Sequence, residues 1–182
     1  MAAETASTDQ VVGAAAAGDE AAFARIVAAH HEDLVRVSFV IGGGDASLAQ
    51  EAAQTAWAIV WRKLHTLRDA DRLRPWLVSV AANEARRLAR RRGRRALVEI
   101  AVYPDLEGIP ADAGDPAARV EQVDLANALR RLSPEDRALV ALRYVAGLHS
   151  GEIAAAMGMS AVGVRTRLAR ALTRLRKELD DG

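Results

Sequence analysis

A stretch rich in proline and acidic residues divides this chain of 182 residues into two parts. Residues 96–117 contain Pro104, Pro110 and Pro116 together with five acidic side chains, and they follow neither a helical nor a strand periodicity. Proline fixes φ and removes a backbone donor, so this pattern is typical of a linker. We therefore expect two small domains joined by a flexible linker, with bounds of 1–18 for a flexible tail, 19–95 for the first domain, 96–119 for the linker and 120–182 for the second domain.

The composition of the chain favours helices. Hydrophobic residues make up 51% of the sequence while aromatic residues make up only 4%, and alanine is the commonest residue. This balance predicts an all-α fold. The absence of cysteine excludes disulfides and thiolate metal sites. The lack of a long apolar run predicts a cytoplasmic protein without membrane insertion.

Charge is strongly segregated although the net charge is only +1. Residues 1–61 carry a net charge of −6, residues 62–95 of +9, residues 99–136 of −6 and residues 137–177 of +7. Two basic blocks separated by acidic stretches indicate two surfaces that bind a polyanion.

Apolar periodicity and capping residues predict the helices. In the first domain we expect Gly42–Gly44 to end the second of four helices. In the second domain, Ser133 followed by Pro134 is a strong helix start. The predicted helices of the first domain begin near Glu20 and then cover Glu32–Ile41, Ala46–Leu64 and Leu73–Arg92.

The end of the chain predicts a helix-turn-helix. Ser150 is expected to cap a short helix that runs through Met157, Gly158 to form a tight turn, and Ser160 to cap a long final helix. An apolar stripe on the final helix consists of Val164, Leu168, Leu172, Leu175 and Leu179. A basic stripe of Arg167, Arg170, Arg174 and Lys177 lies roughly 140° away from it.

Such a layout is typical of a recognition helix in the major groove of DNA. Arg165, Thr166 and Arg167 are candidates for base contacts, and Arg170 and Arg174 for phosphate contacts. The alternative is an amphipathic surface helix whose arginines are only solvated. The preceding short helix, glycine turn and second cap favour DNA binding.

The first basic block offers a second nucleic-acid surface. Arg86, Arg87 and Arg90 lie on a helix whose opposite side is apolar, and the loop His65–Arg74 precedes that helix. A polar loop beside a basic helix is suited to unpaired bases and their backbone. Trp57 and Trp61 are one helical turn apart, a spacing more typical of a core pair.

Site chemistry for catalysis is not evident. Gly42–Gly44 is not followed by the Lys-Ser/Thr of a phosphate-binding loop, and the four histidines lack metal-ligand spacing. We therefore expect no enzyme activity, no catalytic residue, no metal and no cofactor.

Both domains resemble the extracytoplasmic-function (ECF) group of bacterial RNA polymerase sigma factors, of the sigma-70 family. The first domain resembles the σ2 helical bundle in "QEAAQTAWAIVWRKLHTLRD" and "LRPWLVSVAANEARRLARR". The second resembles the σ4 helix-turn-helix in "LSPEDRALVALRYVAGLHSGEIAAAMGMSAVGVRTRLARALTRLRKEL". Val162-Gly163 replaces the usual Gly-Thr order, so no base preference follows.

The resemblance implies a transcription initiation factor that directs core RNA polymerase to promoters and assists their melting. It implies that σ2 binds the β′ clamp helices and the −10 element, and that σ4 binds the β flap and the −35 element. An anti-sigma factor is a further partner common in the family. The acidic linker, through Asp105, Glu107, Asp112 and Asp115, would imitate nucleic acid along the RNA path.

The candidate residues fall into three sets. The set for the −35 element is Ser160, Arg165, Thr166, Arg167, Arg170 and Arg174. The set for the −10 element is Arg68, Arg72, Arg74, Trp76, Asn83, Arg86, Arg87 and Arg90. The set for polymerase binding is Glu51, Gln54, Trp57, Trp61 and Arg62.

Two other functions stay open at this point. A free-standing helix-turn-helix repressor or activator would bind DNA tightly without polymerase, usually as a dimer. An enzyme acting on nucleic acid would need a site that the sequence does not reveal.

Overall fold

The computed structural model describes residues 7–96 and 125–180, and every regular element in these two ranges is helical. The helices are α1 (Thr8–Ala16), α2 (Glu20–Ile41), α3 (Ala46–Lys63), α4 (Leu73–Ala96), α5 (125–131), α6 (Pro134–Val140), α7 (Ser150–Met157) and α8 (Ala161–Asp180). Two 3₁₀ turns, Leu64–Thr66 and Ala70–Arg72, connect α3 to α4, and a π-helical turn over Ala141–Val145 extends α6. The all-α prediction is confirmed. Within the described ranges, no helix is long and apolar enough to span a membrane.

Short polar side chains begin several of these helices. Asp19 accepts a hydrogen bond from the backbone N of Ala22 at 2.9 Å, and Asp45 accepts one from Leu48 at 2.8 Å. Each bond satisfies a backbone donor that has no partner inside the first turn. Gly43 and Gly44, with φ of +73° and +89°, carry the chain from the end of α2 to the cap of α3.

The predicted flexible tail is wrong for residues 8–16, which form α1. Ser7 and Gln10 make a reciprocal capping box, and Val12 and Ala15 are buried. The alanine-rich composition that looked featureless in sequence is a good helix former once one side packs. Two helices were also expected where α2 runs unbroken from Glu20 to Ile41, because no residue between them stops a helix.

Helices α2, α3 and α4 pack against one another as a bundle, with α1 lying on α2. Leu34, Leu48, Val60 and Leu77 are fully buried at its centre. Many alanines of α3 and α4 are also fully buried, which lets the helices approach closely. We call residues 7–96 the first unit.

The second unit, residues 125–180, packs directly against the first. Helix α6 and its π-helical turn lie on α2 and α4, and α7 lies on α4. One hydrophobic core continues from the first unit through Leu139, Leu142 and Ile153 to Val164. A flexible linker alone does not predict this close packing. Residues 97–119 of that linker lie outside the described residues.

Candidate nucleic-acid interface

A helix-turn-helix is built by α7 and α8 as the sequence predicts, except at its first cap. His149, not Ser150, caps α7: its Nδ1 accepts from the backbone N of Gly151 and Glu152, and Ser150 is the first helical residue. Gly158 takes the left-handed conformation with φ +64°, which places the turn. The hydroxyl of Ser160 accepts from the backbone N of Gly163 at 3.0 Å at the start of α8.

The outer side of α8 presents cations near its N-terminus. Arg165, Thr166 and Arg170 are exposed, whereas Arg167 is half-buried. The apolar side differs from the predicted stripe, because Val164, Ala171 and Leu175 are the buried residues. Leu168 and Leu172 are half-buried, and Leu179 is 40% exposed. Helix α8 is therefore rotated so that Ala171, which is not part of the predicted stripe, faces the core of the second unit.

Asp136 of α6 contacts two arginines of the basic stripe, Arg167 and Arg174. Its carboxylate accepts from Arg167 Nε at 2.8 Å and from Arg174 Nη2 at 2.6 Å, with the side chain only 3% exposed. Burial raises the pKa of Asp136, but hydrogen bonds from Arg167 and Ser133, together with the charges of Arg167 and Arg174, outweigh it and hold the pKa below its usual value. The cluster borders an open groove lined by Ser133, Asp136, Gly163, Thr166, Arg167, Arg170 and Arg174. The sequence did not single out Asp136.

The loop between α3 and α4 forms a second groove with polar walls. Arg68 and Arg72 are exposed, and Trp76 is half-buried beside them. Asp69 accepts from the backbone N of Asp71 at 3.1 Å and lies 3.4 Å from Arg72 Nε, so it shapes the 3₁₀ turn. The groove is lined by Thr66, Leu67, Arg68, Asp69, Arg72 and Trp76.

Helix α4 carries the remaining candidates for the −10 element. Asn83 and Arg87 are exposed, and Arg87 pairs with Glu84 at 2.6 Å. Arg86 donates to Asn83 Oδ1 at 2.9 Å, while its Nε is buried without a hydrogen-bond partner among the described residues. Burial lowers the pKa of Arg86. The residues of the predicted set are thus not uniformly accessible.

Comparison with known proteins identifies the family. Residues 26–95 match Sigma-70 region 2, and residues 122–175 match Sigma-70, region 4. The chain is 32% identical over 184 residues to the RNA polymerase sigma factor CnrH of Cupriavidus metallidurans, covering 94% of each chain. It is 33% identical over 165 residues to the ECF RNA polymerase sigma factor RpoE of Cereibacter sphaeroides, covering 88% of each.

The protein belongs to the ECF sigma factors. The solved structure of CnrH in complex with the cytosolic domain of CnrY agrees in fold with this sigma factor, with a TM-score of 0.69 and 26% identity. The superposition covers 96% of this chain and 99% of CnrH. As a sigma factor the chain binds core RNA polymerase and directs it to promoters by recognising the −10 and −35 elements of the promoter DNA. Family membership favours a non-catalytic factor and decides against a free-standing repressor.

The candidates for polymerase binding divide into exposed and buried residues. Trp61 is 39% exposed and Trp57 only 9%. Trp57 Nε1 donates to His31 Nδ1 at 3.2 Å, and Phe23 meets both tryptophan rings edge-on. The ring of Trp57 fills the core of the first unit, so a direct contact of Trp57 with polymerase stays a prediction that its burial in the free chain disfavours. Glu51, Gln54 and Arg62 are exposed on α3 with Trp61.

Three candidates for the −10 element contact the second unit of the sigma factor. Arg74 Nη1 donates to the backbone oxygen of Ala146 at 2.7 Å. Arg86 Nη1 lies 3.1 Å from the sulfur of Met157, and Arg90 pairs with Glu135 at 3.3 Å. The packing of the two units therefore covers part of the surface that the sequence assigns to the −10 element.

Arg137 is a second residue that sequence reasoning missed. Its side chain is buried, and its guanidinium Nη1 donates to the backbone oxygen of Leu132 at 3.0 Å, where the chain leaves α5. Burial lowers the pKa of Arg137, and nearby Glu135 raises it only in part. The available signal was the position of Arg137 directly before the apolar run Ala138–Leu142.

Proposed function

We propose that α8 reads the −35 element of the promoter. The observation that carries this proposal is the outward presentation of Arg165, Thr166 and Arg170 on a capped helix that follows a left-handed glycine turn. Side chains on the first turns of a recognition helix reach base edges, and cations farther along reach phosphates. Ser160, Arg167 and Arg174 complete the proposed set.

The loop and α4 of the first unit bind the −10 element in this proposal. Arg68, Arg72 and Trp76 surround the loop groove, so a base leaving the duplex would meet an aromatic ring and two cations. Asn83 and Arg87 extend this surface along α4, and Arg74, Arg86 and Arg90 join it once the second unit moves away.

Polymerase binding is assigned to α3 and to the second unit. Trp61 is 39% exposed on the same helix as the exposed residues Gln54 and Arg62, and tryptophan and arginine are enriched in protein interfaces. We propose that this face meets the β′ clamp helices, with Glu51 as a further contact and Trp57 supporting α3 from below. The β flap would be bound by the second unit.

The two units have to separate before both elements are bound. Elements about 25 base pairs apart lie roughly 85 Å apart along B-DNA, whereas a compact chain of this length has a radius of gyration of about 16 Å. The packed arrangement is therefore the form of the free chain in this proposal. The linker predicted over residues 96–119 would keep the two units connected in the complex.

The test uses core polymerase reconstituted with the full chain and a promoter selected by that holoenzyme from a library with randomised −35 and −10 elements. Discrimination is the ratio of run-off transcription from the selected promoter to that from promoters with a changed −35 element. We expect Arg165→Ala to reduce this ratio roughly 10-fold, which corresponds to the loss of one good base contact. Arg176→Ala is the matched control, because Arg176 is an exposed arginine on the same helix outside the proposed set. Equal effects of both variants on discrimination would contradict the assignment of α8.

The same assay tests the first unit. Arg68→Ala is expected to reduce discrimination and opening at the −10 element, and Arg25→Ala, an exposed arginine on α2, serves as its control. Potassium permanganate reactivity of unpaired thymines reports opening directly. Undiminished reactivity with Arg68→Ala would count against the loop assignment.

We further propose a cytoplasmic factor without enzyme activity that is held inactive by an anti-sigma factor. The solved sigma factor RpoE of Bartonella quintana is in complex with the anti-sigma factor NepR, and this motivates the expectation of an anti-sigma factor here. A pull-down of the chain by a regulator encoded beside it, competed away by added core polymerase, would support this proposal.

A further inference from the structure

Asp136 binds two arginines of α8 at once, and each arginine keeps N–H donors that do not bind Asp136. Arg167 donates through Nε to one carboxylate oxygen, and Arg174 donates through Nη2 to the other. A guanidinium has five N–H donors. The terminal Nη groups of Arg167 are therefore left for a bidentate contact, which is the geometry that reads guanine in the major groove.

The geometry fixes these side chains on one side of α8. Arg167 and Arg174 are seven residues apart, about two helical turns, and the same carboxylate anchors both. Their side chains remain 39% and 57% exposed, while that of Asp136 is 3% exposed. The carboxylate is thus inside the second unit, and the ends of the arginines lie at the border of the groove beside Thr166 and Arg170.

We propose that Asp136 is a positioning residue for promoter recognition, which sets the orientation of Arg167 and Arg174 before DNA arrives. This inference rests on the proposed function of α8. A free arginine side chain loses rotamer freedom when it binds, and prior fixation removes part of that cost. The benefit is greatest for a contact that demands one orientation, so Asp136 contributes to sequence discrimination at the −35 element.

If Asp136 only neutralised positive charge on α8, its removal would have a different effect on DNA binding. A buried carboxylate also cancels one positive charge next to the phosphates, and if that were its whole effect its removal would strengthen binding to every sequence. Binding would then rise uniformly, with a steeper dependence on salt concentration, and discrimination would stay constant. Positioning predicts a loss of discrimination whatever happens to general affinity.

The experiment uses Asp136→Asn, which keeps the size of the side chain and removes its charge, in the reconstituted holoenzyme. The DNA probes are the promoter selected by the native holoenzyme and versions with single base-pair changes in the −35 element. We expect discrimination between these probes to fall about 3- to 10-fold. Unchanged discrimination would overturn the proposal.

Glu135→Gln is the matched control, because Glu135 is the neighbouring acid of the same helical turn but pairs with Arg90. It should leave discrimination unchanged, and an equal loss would also overturn the proposal. Each variant is assayed at a temperature at which its circular dichroism equals that of the native chain. Loss of stability is thereby separated from loss of positioning.

Arg167→Ala separates this inference from the function on which it rests. If Arg167→Ala leaves −35 discrimination intact, the role of α8 fails. If Arg167→Ala lowers discrimination while Asp136→Asn does not, only the positioning role fails. The double variant Asp136→Asn/Arg167→Ala should lose less discrimination than the sum of the two single losses, because part of the effect of Asp136 acts through Arg167. The loss beyond that of Arg167→Ala alone is the smaller part that acts through Arg174. Full additivity of the two single losses would overturn the proposal.

Discussion

The guanidinium of Arg137 in α6 donates from Nε to the backbone oxygen of Ile41, the last residue of α2, at 2.6 Å. The same group donates to the backbone oxygen of Leu132 at 3.0 Å. A cation at the end of a helix meets the negative end of its dipole. One buried side chain therefore joins the end of α2 in the first unit to the segment that follows α5 in the second.

Replacing Arg137 should destabilise the packed form of the free chain. Arg137→Ala leaves buried backbone oxygens without their donor, at a cost of roughly 1–3 kcal/mol for each acceptor that water does not reach. Arg131→Ala is the control, since Arg131 is 70% exposed and its pair with Glu178 should be worth less than about 1 kcal/mol. Urea unfolding followed by circular dichroism measures both. Equal free energies of unfolding for the two variants would contradict the role of Arg137.

The two units should move apart when polymerase binds. The chain contains no cysteine, so Arg25→Cys on α2 and Arg176→Cys on α8 give two exposed positions for fluorescent labels, both outside the surfaces proposed to bind DNA or polymerase. We expect high energy transfer in the free chain and a marked drop on addition of core polymerase and promoter. Energy transfer that stays constant would refute the separation.

Trp61 and Trp57 should respond differently to truncation. Trp61→Ala is expected to weaken binding to core polymerase at least about 10-fold, because exposed tryptophans often dominate an interface. Trp57→Ala is expected to lower the free energy of unfolding by roughly 3–5 kcal/mol, because that ring is buried. Fluorescence anisotropy with labelled chain and thermal unfolding separate the two effects. A larger loss of stability for Trp61→Ala would reverse the assignment.

Acid should weaken the second unit through Asp136. Its pKa in the folded chain lies below the ordinary 3.8, so its ion pairs stabilise the fold fully above that value. As the pH falls below 3.8, the unfolded chain takes up the proton first, and stability is lost until the folded pKa is passed. Asp136→Asn should lose less stability than the native chain over this interval. Parallel urea midpoints for both proteins would contradict this linkage.

The sequence predicted the helix-turn-helix well because local signals determine it. Ser133 with Pro134, Gly158 and Ser160 each act within one turn of the chain, and the structure has them in the expected places. The cap at His149 was missed because histidine is an unusual cap and Ser150 is a common one. The sequence predicts a tail over residues 8–16, because an alanine-rich segment does not itself reveal the surface against which it packs as a helix.

Contacts between side chains and distant helices could not be predicted from the sequence. Asp136 reads as an ordinary first-turn acid until α8 folds back over it, and Arg137 reads as a surface cation until α2 ends against it. Leu168 looked fully buried from periodicity, but the observed rotation of α8 leaves it half-buried. Its replacement by alanine should therefore cost less than the full 2–5 kcal/mol of a core leucine.

Site-specific photo-crosslinking tests the central assignment most directly. A photoreactive amino acid is placed at position 165 on α8 or at position 68 in the loop, and the holoenzyme is bound to an end-labelled promoter. The account predicts crosslinks from position 165 within the −35 element and from position 68 within the −10 element. Crosslinks from position 165 that map to the −10 element, or from either position at random along the DNA, would contradict it.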